Sequence, residues 1–127
     1  LPIRVSGTSI EGNTEDWVIW GQIRGKQLFS SRRIVIPPGG RMLLKDPGFS
    51  IAHFTNGSGR INHLPAAALV DCQHRIGEEA HDEFFLTHAS TRDGVLIENT
   101  GDDELRMTRT FGPDAWTDMP TSWAAAV

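Results

Sequence analysis

Apolar positions in this chain recur in short runs and at every second residue, the spacing of strands rather than helices. Trp17-Val18-Ile19-Trp20 reads as a strand rich in aromatic and β-branched residues, Gln27-Leu28-Phe29 as a short second one, and Arg32 to Ile36 as a third. Pro37-Pro38-Gly39-Gly40 ends the third, because proline cannot donate to a ladder. Arg41 to Leu44 follows, closed by the turn Lys45-Asp46-Pro47-Gly48. Phe49 to Thr55 and Arg60 to His63 flank Asn56-Gly57-Ser58-Gly59, which predicts a hairpin with glycines available for positive φ. Ala66 to Val70 fits a strand or an apolar loop, and Glu83 to Leu86 a short strand. Thr87 to Arg92 fits a single helical turn. Val95 to Glu98 is a strand, Asn99 to Asp103 a turn, and Glu104 to Phe111 a long strand closed by Gly112-Pro113. Short strands separated by turn residues, with little helix, predict an all-β barrel or sandwich.

Composition narrows this further. The 127 residues suffice for one core and leave no room for a second full domain. A formal net charge of −4 argues against a general nucleic-acid surface, and no basic run extends from the adjacent Arg32 and Arg33. No apolar stretch approaches bilayer length, so no membrane association is expected. Cys72 is the only cysteine, which excludes an internal disulfide and suits the reducing cytoplasm. The N-terminus lacks both an initiator Met and a signal-peptide apolar region, so the chain is expected to be a processed product or a piece of a longer polypeptide.

Three stretches, in order, resemble the cupin superfamily, the RmlC-like barrels. They are Ile34 to Arg41, then Phe49 to Asn62 with its Gly57-Ser58-Gly59, then Asp82 to Leu86 with Val95 to Gly101 and Glu104 to Pro113. Together they cover roughly residues 32–113, most of the chain. The resemblance implies a small antiparallel β-barrel or jelly roll spanning residues 17–113. Residues 1–16 would form an irregular lead-in, and residues 114–127 a tail packed on the barrel or a partner. The chain also resembles the C-terminal barrel of larger bacterial two-cupin proteins.

Metal-binding cupins carry a His-x-His pair, a Glu and a second-motif His. Here Arg41 to Gly48 holds no His, the Glu position falls on Ser50, and the second-motif His falls on Val95. A transition metal needs three or four converging N, O or S donors. No metal and no cofactor is therefore expected in the barrel.

Other residues carry candidate chemistry. Leu105, Met107, Arg109 and Phe111 share one face of a strand, so Arg109 points inward and needs a carboxylate or an anionic ligand. Arg109, Arg41 and Ser50 are the expected ligand-binding residues, for a small anion or a sugar. His81 and His88 lie near the acidic Glu78-Glu79 and Asp82-Glu83 and are the candidate proton carriers of a catalytic reading, with His74 close by. By alternation His53 shares the outward face with Ile51, and His63 sits at a hairpin arm. Cys72 would be a nucleophile only with a base such as His74 beside it. Trp17 and Trp20 have opposite parity, so at most one joins the core, whereas Trp116 and Trp123 would pin the tail.

Two functions follow as expectations. One is a non-catalytic assembly or small-ligand-binding module, a homodimer or a partner of another cupin domain in the same parent protein. The other is a metal-independent sugar or sugar-phosphate isomerase or epimerase.

Overall fold

The computed structural model describes residues 3–5, 12–46, 49–68, 77 and 80–113. Cys72, His74, Trp116, Trp123 and the tail 114–127 lie outside them.

The strands are β1 (Ile3–Arg4), β2 (Thr14–Ile23), β3 (Lys26–Ile36), β4 (Arg41–Leu44), β5 (Ser50–Asn56), β6 (Ser58–Ile61), β7 (Leu64–Ala67), β8 (Glu83–Leu86), β9 (Val95–Asn99) and β10 (Leu105–Phe111), with one helix, α1 (His88–Asp93). They form a six-stranded sheet, β1-β2-β3-β10-β5-β8, and a four-stranded sheet, β4-β9-β6-β7. Every pairing among the described residues is antiparallel. This is the predicted jelly roll, with little helix.

The inner faces of both sheets supply the core. Ile34, Ile36, Ala52, Phe54, Leu86, Leu105 and Met107 come from the large sheet, and Leu44, Ile61, Ala66, Val95 and Ile97 from the small one. The alternation expected for β5 and β10 holds. Ser50, Ala52 and Phe54 are buried on one strand, and Leu105, Met107, Arg109 and Phe111 on the other. Phe84 meets Phe54 edge-on at 5.8 Å between ring centroids, a favoured aromatic geometry.

Several sequence expectations need correction. The lead-in is partly ordered into the sheet: Ile3 and Arg4 pair with Trp17 and Asp16, and β2 begins at Thr14. The two expected strands around Phe29 and Ile34 are one continuous β3, joined to β2 by a tight Arg24-Gly25 turn. Both turn residues have positive φ, 53° and 78°, the requirement of a two-residue hairpin that matches strand twist.

Asn56 to Gly59 is not a hairpin. β5 belongs to the large sheet and β6 to the small one, so Gly57, at φ 81°, turns a corner between sheets. The hairpin lies one strand later, where Asn62-His63 joins β6 to β7 and Ile61 pairs with Leu64. Asn62 takes a φ of 53°, and its side-chain oxygen accepts from the Leu96 amide at 2.9 Å. β7 tolerates Pro65 because it is the edge of its sheet.

Trp17 and Trp20 face the same side. The register skips a residue between Trp17 and Ile19, so Trp17 pairs with Arg32 and Trp20 with Ser30, two positions of equal parity. A β-bulge inserts one residue and reverses the alternation beyond it. The two indoles consequently meet at 5.2 Å in a T-shaped contact.

Helix α1 is short and depends on its cap. The Thr87 hydroxyl accepts from the Ser90 amide at 3.2 Å, and buried Thr91 donates its hydroxyl to the Thr87 carbonyl. Thr87→Ala is expected to cost about 1 kcal/mol in urea unfolding, the usual value of such a cap. No helix among the described residues is long and apolar enough to cross a membrane.

Candidate functional site

The barrel interior divides along the strands. Toward the start of β10 it is apolar; toward the start of β5 and the end of β10 it becomes polar. Inward positions on β3 run Ile36, Ile34, Arg32, Ser30, and those on β10 run Leu105, Met107, Arg109, Phe111. Arg32 and Arg109 stand directly opposite each other in register. Two guanidinium groups side by side repel, and burial deprives them of water, so each requires its own anion.

Each has one. Arg32 Nη1 donates to Glu15 at 2.7 Å. Arg109 donates from Nη1 and Nη2 to the two carboxylate oxygens of Asp46, at 2.5 and 3.0 Å, a bidentate fork. Its Nη2 also donates to the Ser50 hydroxyl at 3.0 Å. The side chains of Arg109 and Asp46 are 0% and 7% exposed. Aromatic faces complete the cage: Arg32 lies 4.0 Å from the Trp17 ring centroid and Arg109 4.7 Å from that of Phe111, both within cation–π range. Burial holds the Arg32 guanidinium below its ordinary pKa, an effect opposed chiefly by Glu15 and reinforced by neighbouring Arg109. The two cations and two carboxylates balance.

Ser50 and Val95, which occupy the ligand positions of metal-binding cupins in the sequence comparison, both point into the barrel. Val95 lies in the apolar core and offers no donor atom. Ser50 offers a hydroxyl, engaged with Arg109. Arg41 is exposed, on the outward face of β4 opposite Glu98, and does not join Arg109 and Ser50. His81 is half-buried in the bend before β8, and its carbonyl accepts from the Ala67 amide at 2.9 Å. His88 is exposed at the start of α1. Neither has a described side-chain bond to the arginine cluster.

Sequence reasoning missed Arg32 and its partner Glu15. The signal was present, since Arg32 shares parity with the apolar Ile34 and Ile36 on its strand. It also missed His53 as a paired residue. His53 faces outward as expected, but its Nε2 lies 3.4 Å from the buried Asp82 carboxylate.

The outer face of the large sheet carries two rows across five strands. Ile19, Ser31, Thr110, Ile51 and Phe85 are successive register partners, and so are Asp16, Arg33, Thr108, His53 and Glu83. In the first row Ile51 and Phe85 are 47% and 62% exposed, and Phe49 stacks on Phe85 at 5.6 Å. A groove of about 420 Å³ crosses the other end of the same face, lined by Asp16, Arg33, Glu104 and Arg106 among others. Its charges pair with one another, Arg33 with Asp16 and Arg106 with Glu104.

No protein-family model matches this sequence and no curated protein does. Solved structures do. A chain of the Rhodobacter sphaeroides complex of SigE with the anti-sigma ChrR superposes with a TM-score of 0.56 at 11% identity, over 79% of this chain and 45% of that one. An RmlC-like cupin protein from Ralstonia eutropha gives 0.54 at 11% identity, over 89% and 63%. A Cupin 2 conserved barrel domain protein from Salinispora arenicola gives 0.57 at 14% identity, over 91% and 86%. This chain thus spans less than two thirds of the first two. The likeness at such identities is one of architecture, and the chain has the fold of the cupin barrels, the double-stranded β-helix.

Proposed function

We propose that this chain is a non-catalytic cupin-fold assembly module that pairs with a second copy of itself through the outer face of the large sheet. The observation that carries this reading is the row ending in Ile51 and Phe85, with Phe49 stacked beside it. Single exposed apolar residues are ordinary, whereas an aligned set on one face marks an association surface. The row runs out to β8, the edge strand of its sheet among the described residues, and a second copy would cover that edge too. A self-complementary patch of this kind suits two-fold pairing.

The interior supports the non-catalytic half of the reading. The terminal nitrogens of Arg109 are engaged with Asp46 and Ser50, so the most chemically capable group in the barrel is held by its own chain. A place in the cytoplasm draws on the single cysteine, Cys72, and a place as one barrel of a longer two-cupin polypeptide on the partial coverage of the first two similar structures.

Sedimentation velocity tests the pairing. The wild-type chain is expected to run as a dimer at tens of micromolar, and Phe85→Lys as a monomer with an unchanged circular dichroism spectrum. A wild-type monomer across that range would overturn the proposal, and docking on a different domain would then be the surviving form of association.

A second reading, a metal-independent sugar or sugar-phosphate isomerase, draws on one observation. Arg109 Nε and Ser30 Oγ are buried without a hydrogen-bond partner and could engage a polar ligand. Binding of a sugar phosphate by the wild-type chain, lost in Arg109→Met, would favour it.

A further inference from the structure

We propose that His53, Asp82 and Glu83 form a binding site for one divalent ion of the Zn²⁺ class, on the outer face of β5 and β8 and separate from the barrel interior. His53 and Glu83 are direct cross-strand partners. The Phe54 amide donates to the Asp82 carbonyl at 2.7 Å, which makes 54 and 82 a hydrogen-bonded pair and leaves 53 and 83 as the closer, non-hydrogen-bonded pair. Their side chains therefore rise from the same face about 5 Å apart at their Cβ atoms. Asp82, held by that backbone bond at the start of β8, sends its carboxylate to the same point. One donor atom from each of the three residues lies within 4.8 Å of the other two.

Burial makes this more than a surface acidic cluster. The Asp82 side chain is 7% exposed, and its described side-chain contact is the half-exposed His53 imidazole at 3.4 Å. That is long for a hydrogen bond to a carboxylate, for which about 2.7–2.9 Å is usual when charges assist. It matches the separation of two ligands on one ion, since donors about 2.0–2.1 Å from a tetrahedral centre lie about 3.3–3.4 Å apart. A desolvated carboxylate needs a cation or several donors, and an ion between Asp82, His53 and Glu83 supplies one. The exposed Glu83 closes the triad by a side-chain rotation, and water fills the fourth position.

The donor set selects the ion. One imidazole nitrogen and two carboxylates suit Zn²⁺ and its borderline neighbours. Ca²⁺ and Mg²⁺ want six or more oxygens and accept imidazole poorly. The nearest cation of the same row, Arg33, is one strand further off beyond Thr108 and is turned to Asp16. The site shares the outer face of β5 and β8 with the pairing proposed above, but it uses the charged row, two residues along each strand from Ile51 and Phe85, and its test reads ion uptake rather than oligomeric state.

Isothermal titration of the chelator-treated full chain with Zn²⁺ tests the site. One ion per chain is expected for the wild type, with at least a tenfold loss of affinity in His53→Gln and in Glu83→Gln, and no change in His63→Gln. Both test positions are exposed or half-exposed, so these variants are expected to fold; Asp82→Asn, at a buried position, serves only if its melting curve is cooperative. A wild-type chain that takes up no Zn²⁺ overturns the proposal. So does uptake that survives His53→Gln undiminished, which would place the ion on other histidines.

Discussion

Asp46→Ala is expected to destabilise the fold by about 3–5 kcal/mol, the cost of leaving a buried charge without its partner. Arg109 is fully buried and inflexibly placed in the middle of β10, so it cannot follow the lost carboxylate to water. Its remaining described polar contact would be the Ser50 hydroxyl, a neutral acceptor. Arg32, directly opposite, would then face an uncompensated positive neighbour, and Glu15 would be the nearest anion for two guanidinium groups. Arg109→Met should cost less, because Asp46 retains slight exposure and follows a strand end from which it can reach solvent. The double variant Asp46→Leu/Arg109→Met removes both charges and should regain most of the loss, since apolar replacements of buried ion pairs are commonly neutral or better. Urea unfolding midpoints of the three variants close the cycle. If Asp46→Ala costs under about 1 kcal/mol, the pair is solvated, and the account of a sealed interior is wrong.

Gly57→Ala and Gly59→Ala should each lower the melting temperature by about 10 °C or more, corresponding to some 3 kcal/mol in a domain of this size. The two glycines fail for different reasons. Gly57 turns the chain from one sheet to the other at φ 81°, where an L residue is strained, and a Cβ there would sit 2.5 Å from the Glu104 carbonyl oxygen. Gly59 has an ordinary strand conformation, but its Cβ would collide with the Glu98 carbonyl oxygen on β9 and would lie 3.1 Å from a Leu105 methyl. Neither obstacle is a flexible side-chain end, so strands would have to separate. Gly25→Ala separates the two effects. Its φ is 78°, but nothing lies within 4 Å of the added methyl, so only the smaller backbone cost of about 1 kcal/mol remains. Thermal melts of the three variants provide the comparison; equal losses at Gly25 and Gly59 would mean the close approach of β6 and β9 is misplaced.

The parts of this molecule readable from sequence are those governed by neighbours two residues apart. Alternation along Leu105–Phe111 turned Arg109 inward, and alternation along Ser50–Phe54 turned Ser50 to meet it. What local pattern could not show was the answering carboxylate. Asp46 is 63 residues away along the chain and sits within what reads as a plain turn, Lys45-Asp46-Pro47-Gly48. The glycines of Asn56-Gly57-Ser58-Gly59 announce a bend correctly, yet a bend within a hairpin and a bend between sheets ask for the same residues. The partners that distinguish them, β10 for β5 and β9 for β6, lie about fifty to sixty and about forty residues on, respectively. The outward pairing of His53 with Asp82 escaped for the same reason, because alternation reports which side a residue faces and not what stands across from it.

The extra residue near Val18 has an effect on alignment. A strand of unbroken alternation can slide by two positions along its neighbour and still show the same faces, which makes its seating degenerate. β2 does not slide freely in this way, because β3 carries an extra residue of its own, Leu28, opposite Gly21 and Gln22, and any shift would bring the two irregularities out of step. Its seating is therefore unique, and Glu15 comes to rest beside Arg32 rather than one rung above or below. The defect in the ladder thus keys the strand, so that paired insertions or deletions in it should be no better tolerated than single ones.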